Sequence, residues 1–172
     1  LVPDGDDYLS LFGKYSIAGR SIVMHTNTSA RYACANIGYG GAFVNESVNM
    51  AVASFNDSNI QGTIVIQQPA YDVLSETSIK VDIRTTGGAS TSDHWWHVHE
   101  DRLGPSGVCT SAGGHWNPQS RITLDCSTAQ ADWGDCEIGD MSGKHDNLDL
   151  PSTGSSKEMY TDTMLPLEGS WG

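Results

Sequence analysis

Basic residues are scarce in this 172-residue chain. Nine Lys and Arg residues stand against 21 Asp and Glu residues, and the formal net charge is -12. Binding to nucleic acid requires a basic surface that displaces counterions from phosphates. The composition therefore argues against a nucleic-acid partner and is typical of a soluble acidic surface.

Long apolar runs are also lacking. No stretch approaches the roughly 20 apolar residues that a membrane helix needs, so we expect no transmembrane segment in this chain. No signal-peptide pattern opens the printed sequence, and we expect a mature or excised segment.

Helical periodicity is absent as well, since no window keeps apolar residues at helical spacing. Short β-branched segments alternate instead with turns rich in glycine, of which the chain has 19. This pattern predicts a single all-β domain with a substantial core. The predicted strands are 9–11, 20–25, 33–37, 48–55, 60–67, 78–84, 94–100, 148–150 and 159–167, with a hairpin turn at 56–59 and a long ordered loop over 101–140.

The four cysteines include no Cys-x-x-Cys pair of the kind that nucleates a zinc site. Glycosylation sequons begin at Asn27, Asn45 and Asn56, and the chain is rich in loops. Together these features favour disulfides and an extracellular, oxidising location over thiolate ligands. Four cysteines allow three pairings, and composition does not choose among them.

Histidine supplies the clearest chemical signal. His97 and His99 lie two residues apart in a predicted strand and leave the same face, and His115 follows in a glycine-rich loop. Three such imidazoles predict a copper or zinc site, although a short alternating pair can also sit on a solvated strand face. His94 has the opposite strand parity and is interpreted as a surface or packing residue. His145 lies in a Gly-Lys-His-Asp segment that predicts a solvated turn.

A short sequence pattern occurs twice in the chain and bears on its organisation. Residues 9–13 and 165–169 both have the form Leu-x-Leu-x-Gly. The match is short enough to arise by chance; alternatively, the chain is one period of a tandem array.

Five motifs together resemble those of the copper/zinc superoxide dismutases. They are Trp-His-Val-His-Glu at 96–100, Cys-Thr-Ser-Ala-Gly-Gly-His-Trp-Asn-Pro at 109–118, Ile-Gly-Asp-Met at 138–141, Gly-Arg-Ser-Ile-Val-Met-His at 19–25 and Arg-Tyr-Ala-Cys-Ala-Asn-Ile-Gly at 31–38. The resemblance covers nearly the whole chain in permuted order, with about 1–44 matching the family's C-terminal part and about 45–172 its N-terminal part. It implies one Greek-key β-sandwich or flattened barrel of about eight antiparallel strands with long loops.

The resemblance also implies a site and a reaction. The copper ligands would be His25, His97, His99 and His115, and Arg31 would attract and orient superoxide. Cycling between Cu(II) and Cu(I) would convert superoxide to oxygen and hydrogen peroxide. The family's counterpart of His115 accepts a proton when copper is reduced, which gives that residue a catalytic role.

The same resemblance implies the disulfide pairing. Cys34 and Cys109 match the bridge that ties the metal loop to the barrel, and this leaves Cys126 to pair with Cys136.

Two departures from the zinc-containing enzymes are visible. No histidine occurs between His115 and Asp140, and Glu137 stands where a zinc ligand is expected, so we predict one copper per domain and no zinc. Only residues 26–30 separate His25 from Arg31, which removes a long charged loop and leaves the copper open to solvent.

These departures are similar to the copper-only superoxide dismutases, and the permuted order is similar to the copper-only repeat proteins of animals. In that reading, Asp140 or Glu137, directly or through a neighbouring copper histidine, supplies the orientation of His115 that zinc otherwise provides. The expected partners are superoxide and adjacent modules of a parent protein. The alternative is a copper-binding or copper-buffering module without significant turnover, and the presence of Arg31 favours the enzyme.

Overall fold

The computed structural model describes residues 17–39, 48–70, 75–121, 126, 136–165 and 167. Eight strands form within these ranges, which confirms the all-β prediction. They are β1 (Ser21–His25), β2 (Arg31–Tyr39), β3 (Val48–Asn56), β4 (Ile60–Pro69), β5 (Thr77–Thr85), β6 (Thr91–His99), β7 (Leu148–Leu150) and β8 (Ser156–Asp162). A 3₁₀ helix covers Cys109–Ala112 and a short α-helix, α1, covers Met141–His145. None of the helices described is long and apolar enough to cross a membrane.

The strands form one antiparallel sheet that curls into a nearly closed barrel, in the order β7-β6-β1-β2-β3-β4-β5-β8. Strands β1 to β5 are successive neighbours, and the chain then crosses over so that β6 pairs with β1. This crossover is what makes the sheet a Greek key rather than a simple meander. It places His25 directly opposite Trp95, although the two residues are far apart in sequence.

The core follows the two-residue period of the strands. Alternate residues of β5 are buried, and β4 has the same alternation over most of its length. The buried positions of these strands are mostly β-branched, which suits side chains packed on a pleated surface. The buried residues of β5 are Thr77, Ile79, Val81, Ile83 and Thr85.

Strand β1 departs from this alternation because all five of its residues are buried. Ile22 and Met24 belong to the barrel core. His25, on the opposite face, is also buried, and so are His97 and His99 on the neighbouring strand β6. Successive residues of a strand point to opposite faces, so these histidines lie outside the barrel core, on a face that loops cover.

The last predicted strand has different bounds in the structure. The strand begins at Ser156 and ends at Asp162, instead of spanning 159–167. The Asp162 carboxylate explains the end, because its Oδ1 accepts hydrogen bonds from the N–H groups of Met164 at 2.7 Å and Leu165 at 2.9 Å. Such a turn competes with further pairing. The predicted strand 9–11 lies outside the described residues, as do parts of the predicted loop 101–140.

The prediction that His145 is solvated is wrong. His145 and Lys144 are buried at the end of α1, where both contact Asp162. The Lys144 ammonium donates to Asp162 Oδ2 at 2.6 Å and to the Ile138 carbonyl at 2.8 Å, and His145 Nε2 lies 2.9 Å from the same Oδ2. The segment has the composition of a surface turn, but α1 folds back onto the end of β8.

His94 is a packing residue, one of the two roles expected for it. The side chain is buried, Nδ1 lies 3.2 Å from the His25 carbonyl oxygen, and Nε2 lies 2.8 Å from Thr91 Oγ1. Its ring stacks on that of Tyr32 with a centroid separation of 4.7 Å. His94 therefore braces the strand that carries His25.

The buried carboxylate of Asp162 makes stability depend on pH. Burial alone would raise the pKa of Asp162, but the charge of Lys144 and the hydrogen bonds from His145 and Lys144 hold it far below its ordinary value. A depressed folded-state pKa contributes stability above the unfolded-state pKa of about 3.9, and that contribution is lost as the pH falls below it.

Asp162→Asn should lower the free energy of unfolding at pH 7 by about 3 kcal/mol or more, because Lys144 loses its counter-charge in the interior. The variant should also lose less stability than the wild type between about pH 5 and pH 2. Denaturant titration followed by tryptophan fluorescence measures both effects. The exposed Glu158→Gln on the same strand is the matched control and should change stability by less than about 0.5 kcal/mol. Equal acid sensitivity of wild type and Asp162→Asn would contradict this account.

Candidate metal centre

Three distant segments of the chain meet in a closed ring of backbone hydrogen bonds. The N–H of Val98 donates to the Gly139 carbonyl at 2.9 Å, and the N–H of Gly139 donates to the Trp116 carbonyl at 3.0 Å. The N–H of Trp116 completes the ring by donating to the Val98 carbonyl at 2.8 Å. Each residue thus gives one hydrogen bond and accepts one, and the three segments are fixed relative to one another.

The residues beside this ring carry the predicted site. His97 pairs with Asp140, and His99 pairs with His115, as isolated antiparallel bridges. Gly139 is essential to the approach, because a Cβ there would lie 2.7 Å from the Val98 carbonyl oxygen and 2.9 Å from that of Trp116. The ring therefore brings two strand histidines, a loop histidine and a carboxylate together.

The fourth histidine comes from β1, through its pairing with β6. The register of β1 and β2 shifts after Met24, so that His25 pairs with Arg31 and Tyr32 is the extra residue. A tight turn follows His25, in which the Thr26 N–H donates to the Ala30 carbonyl at 2.7 Å. The short turn that the sequence predicted thus places an imidazole and a guanidinium on paired positions.

The four imidazoles form one cluster. Potential ligand nitrogens of His25, His97 and His115 all lie within 4.8 Å of one another. His99 joins through its Nε2, which is 3.4 Å from Nε2 of His25. The rings of His97 and His115 stack at a centroid separation of 3.9 Å, and the ring of His99 lies 5.0 Å from that of His115.

One nitrogen of each ring has an acceptor in the protein. Two of these acceptors are backbone carbonyls: Ser29 O lies 3.1 Å from His25 Nδ1, and Gly113 O lies 3.2 Å from His99 Nδ1. Donation to such an acceptor fixes the tautomer of an imidazole and leaves the other nitrogen as the ligand.

The other two acceptors are the carboxylates that the sequence singled out. Asp140 Oδ1 lies 3.3 Å from His97 Nε2, and Glu137 Oε2 lies 3.1 Å from His115 Nδ1. Asp140 is itself held by the Gly143 N–H, which donates to Oδ1 at 2.8 Å. Glu137 thus contacts His115 directly, and Asp140 contacts the neighbouring His97.

The remaining nitrogens fit a metal ion. His97 Nδ1 is buried and has no hydrogen-bond partner among the described residues, while its Nε2 is held by Asp140. The close Nε2 atoms of His25 and His99 bring two lone pairs together unless a proton or a cation lies between them. Four imidazole nitrogens are a donor set that suits copper.

The protonation states favour metal binding. Burial lowers the pKa of His99 to about 3, and burial also lowers the pKa of His25. Both rings are therefore neutral near pH 7, with lone pairs available for a cation. Burial acts to raise the pKa of Asp140, but the hydrogen bonds from His97 and Gly143 outweigh it and leave that pKa below its ordinary value. Asp140 thus stays ionised opposite the imidazole it orients.

Arg31 is anchored beside this cluster by the loop that follows β6. Its guanidinium donates to the Cys109 carbonyl and, at 2.6 Å, to the Gly113 carbonyl. Gly113 is also the residue whose carbonyl faces His99 Nδ1. The positive charge of Arg31 contributes to the lowered pKa values of His25 and His99, after the larger effect of burial. A fixed cation therefore lies near the imidazole cluster.

Both cysteine pairs implied by the motifs are bridged in the structure. Cys34 on β2 is joined to Cys109, and Cys126 is joined to Cys136. The first bridge ties the loop that anchors Arg31 to the barrel wall. The second lies next to Glu137 in sequence.

A Greek-key barrel that carries four convergent imidazoles on a loop-covered face defines an all-β metalloprotein with a copper-type site. A family model described as copper/zinc superoxide dismutase matches residues 60–172, which is more than half of the chain. The chain belongs to the copper/zinc superoxide dismutase family. The matched region includes His97, His99 and His115, whereas His25 precedes it and reaches the cluster through the β1–β6 pairing.

Individual relatives agree with the family assignment. A Schizosaccharomyces pombe superoxide dismutase [Cu-Zn] is 28% identical over 114 residues, which cover 66% of this chain and 65% of the relative. Cell surface superoxide dismutase [Cu-Zn] 4 of Candida albicans is 31% identical over 112 residues, or 64% of this chain and 42% of the relative. Cell surface Cu-only superoxide dismutase 5 of the same organism is 32% identical over 110 residues, or 64% and 43%. The chain thus spans less than two thirds of the length of these relatives.

Sequence reasoning did not identify several groups that hold the site. The backbone carbonyls of Ser29 and Gly113 could not be identified from residue types, because every residue has a carbonyl. Gly139 had a usable signal, because it lies in the Ile-Gly-Asp-Met motif at 138–141 and because glycine permits a close approach of the backbone.

Gly139→Ala tests the dependence of the centre on the backbone ring. The added methyl group must displace Val98 or Trp116, so the variant should lose about 2 kcal/mol of unfolding free energy. Cu(II) affinity, measured by competition with a chelator of known strength, should weaken about tenfold because the imidazoles and their carboxylates separate. Gly87→Ala is the matched control, since a Cβ at that glycine meets no atom within 4 Å. Wild-type affinity in a folded Gly139→Ala protein would show that the ring does not set the site.

Proposed function

We propose that this chain is an extracellular copper-only superoxide dismutase module, with one copper ion, no zinc and superoxide as its substrate. The observation that carries the proposal is the set of four imidazoles, each with one nitrogen oriented by the protein and the other free for a metal, beside a fixed guanidinium. When bound, copper would supply the one-electron exchanges that turn two superoxide ions and two protons into oxygen and hydrogen peroxide.

The proposed absence of zinc rests on the partners of His97 and His115. Asp140 and Glu137 occupy the far nitrogens of these rings, and a carboxylate can orient an imidazole without a second metal. The side chain of His115 is also 37% exposed, so its ring can exchange a proton with solvent. We assign Glu137 the role of holding the His115 ring while that proton moves.

Arg31 provides the attraction for an anionic substrate. A cation about 4 Å from superoxide contributes roughly 4 kcal/mol at an effective dielectric constant of 20, whereas exposed acids beyond about 8 Å are largely screened by physiological salt. The local charge of Arg31 and the metal therefore outweighs the net charge of -12. The two carbonyls that hold the guanidinium keep it oriented without neutralising it.

The extracellular location and the modular parent protein are also proposals. Two disulfides suit an oxidising compartment, and two of the relatives named above are cell-surface proteins. Strands β1 and β2 precede the matched region in sequence but lie between β6 and β3 in the sheet. We therefore propose that residues 1–172 form one domain of permuted order whose neighbours in the parent chain are similar modules.

Copper-loaded protein should accelerate the decay of superoxide, as measured by pulse radiolysis. Arg31→Ala should lower the rate constant about tenfold and flatten its dependence on salt, because the steering cation is lost while all four imidazoles remain. His115→Ala should lower the rate constant at least tenfold, because it removes a ligand that also exchanges protons.

Two outcomes would contradict the proposal in different ways. A protein that binds one copper through histidine nitrogens but leaves superoxide decay unchanged would be a copper-binding or copper-buffering module. Metal analysis that finds one equivalent of zinc beside copper would contradict the copper-only assignment.

The double variant Glu137→Gln, Asp140→Asn tests the role of the carboxylates. Loss of both negative charges should weaken Cu(II) binding by about tenfold to a hundredfold and change its electron paramagnetic resonance spectrum. Asp149→Asn, Glu158→Gln removes two exposed acids and is the matched control. An unaltered spectrum and an unaltered rate constant in the first double variant would refute the role.

A further inference from the structure

The buried pair of Lys144 and Asp162 lies outside the cluster of imidazoles and has no part in the proposed reaction. Both side chains are 0% exposed, and lysine is seldom buried so completely. Removing two charges from water is costly unless further hydrogen bonds satisfy them. The partners of this pair therefore indicate what the burial achieves.

Asp162 is a saturated anchor at the end of β8. Its Oδ1 accepts the N–H groups of Met164 and Leu165, and its Oδ2 faces Lys144 Nζ at 2.6 Å and His145 Nε2 at 2.9 Å. The carboxylate is thus held from both sides by the strand end and by α1. The side chains that contact this carboxylate, Lys144 and His145, are therefore fixed in position relative to the barrel.

Lys144 connects Asp162 to the segment that carries the carboxylates of the metal centre. Its ammonium donates to the carbonyl of Ile138 at 2.8 Å. Ile138 belongs to the tetrapeptide 137–140, which carries both carboxylates at its two ends. The lysine therefore holds this tetrapeptide by a hydrogen bond near its middle. The same tetrapeptide starts α1, because Asp140 is the N-cap residue of that helix.

We propose that Lys144 and Asp162 are positioning residues that hold Glu137 and Asp140 against His115 and His97, so that the barrel sets the orientation of the two imidazoles. The inference rests on the proposed copper site. The path runs from β8 through Asp162 to Lys144 and the Ile138 carbonyl. Neither residue of the pair contacts an imidazole of the cluster in the described structure. The ammonium reaches the tetrapeptide through the Ile138 carbonyl, and its charge also helps to lower the pKa of Asp140.

The test uses a variant that removes the pair without leaving a lone buried charge. Lys144→Met, Asp162→Asn takes away the ammonium and the carboxylate together. Lys157→Met, Glu158→Gln makes the same change of charge at two exposed positions of β8 and is the matched control.

The first readout is the metal-free protein. In nitrogen-15 NMR spectra, the imidazole proton on His97 Nε2 should exchange with water at least about tenfold faster in the Lys144→Met, Asp162→Asn variant, because its Asp140 acceptor moves. The second readout is Cu(II) affinity, which should weaken about tenfold, with a changed electron paramagnetic resonance spectrum. The control should match the wild type in both readouts. Wild-type exchange and a wild-type spectrum in the folded variant would overturn the inference.

A measurement on the wild-type protein keeps the inference testable even where the variant does not fold. In guanidinium concentrations below the unfolding transition, the exchange of the Lys144 ammonium protons and of the His97 Nε2 proton should increase in parallel, because one opening exposes both groups. An ammonium that opens while the His97 Nε2 proton remains protected would overturn the inference. Failure of the proposed function looks different: the copper-loaded wild type would not remove superoxide, while the exchange results would still link Lys144 to the His97 ring.

Discussion

The ring of backbone hydrogen bonds among Val98, Trp116 and Gly139 is the constraint on which the metal centre depends. Each of the three residues is directly next to, or within two positions of, a side chain of the site, so fixing the ring fixes the neighbours. A backbone ring has no side-chain rotamers to order, and this makes it a stiff support. The absence of a Cβ at Gly139 allows the three backbone segments to approach one another.

The barrel supplies the two residues of the site that do not lie beside the ring. His25 and Arg31 come from the β1–β2 hairpin, and the crossover that places β1 beside β6 brings them to the cluster. Long-range pairing of this kind depends on the whole sheet, since no local contact favours it. The centre is therefore assembled by two features that share β6, the backbone ring and the order of the strands.

Much of this architecture could be predicted from the sequence. Strands such as β5 could be predicted because one face of the strand is buried, and this face favours β-branched residues at alternate positions. The histidine motifs identified the cluster through their resemblance to a known family. The burial of Lys144 and His145 could not be predicted, because their segment has the composition of a solvated turn and the residue that buries them, Asp162, follows much later in the chain.

The bridge between Cys34 and Cys109 restrains the position of Arg31 at two points of the chain. Arg31 lies three residues before one sulfur and donates to the carbonyl of the residue that bears the other. Reduction of the two thiols removes the covalent restraint on the Cys109 carbonyl, which accepts a hydrogen bond from the guanidinium. The bridge therefore couples the position of the Arg31 charge to the oxidation state of two thiols.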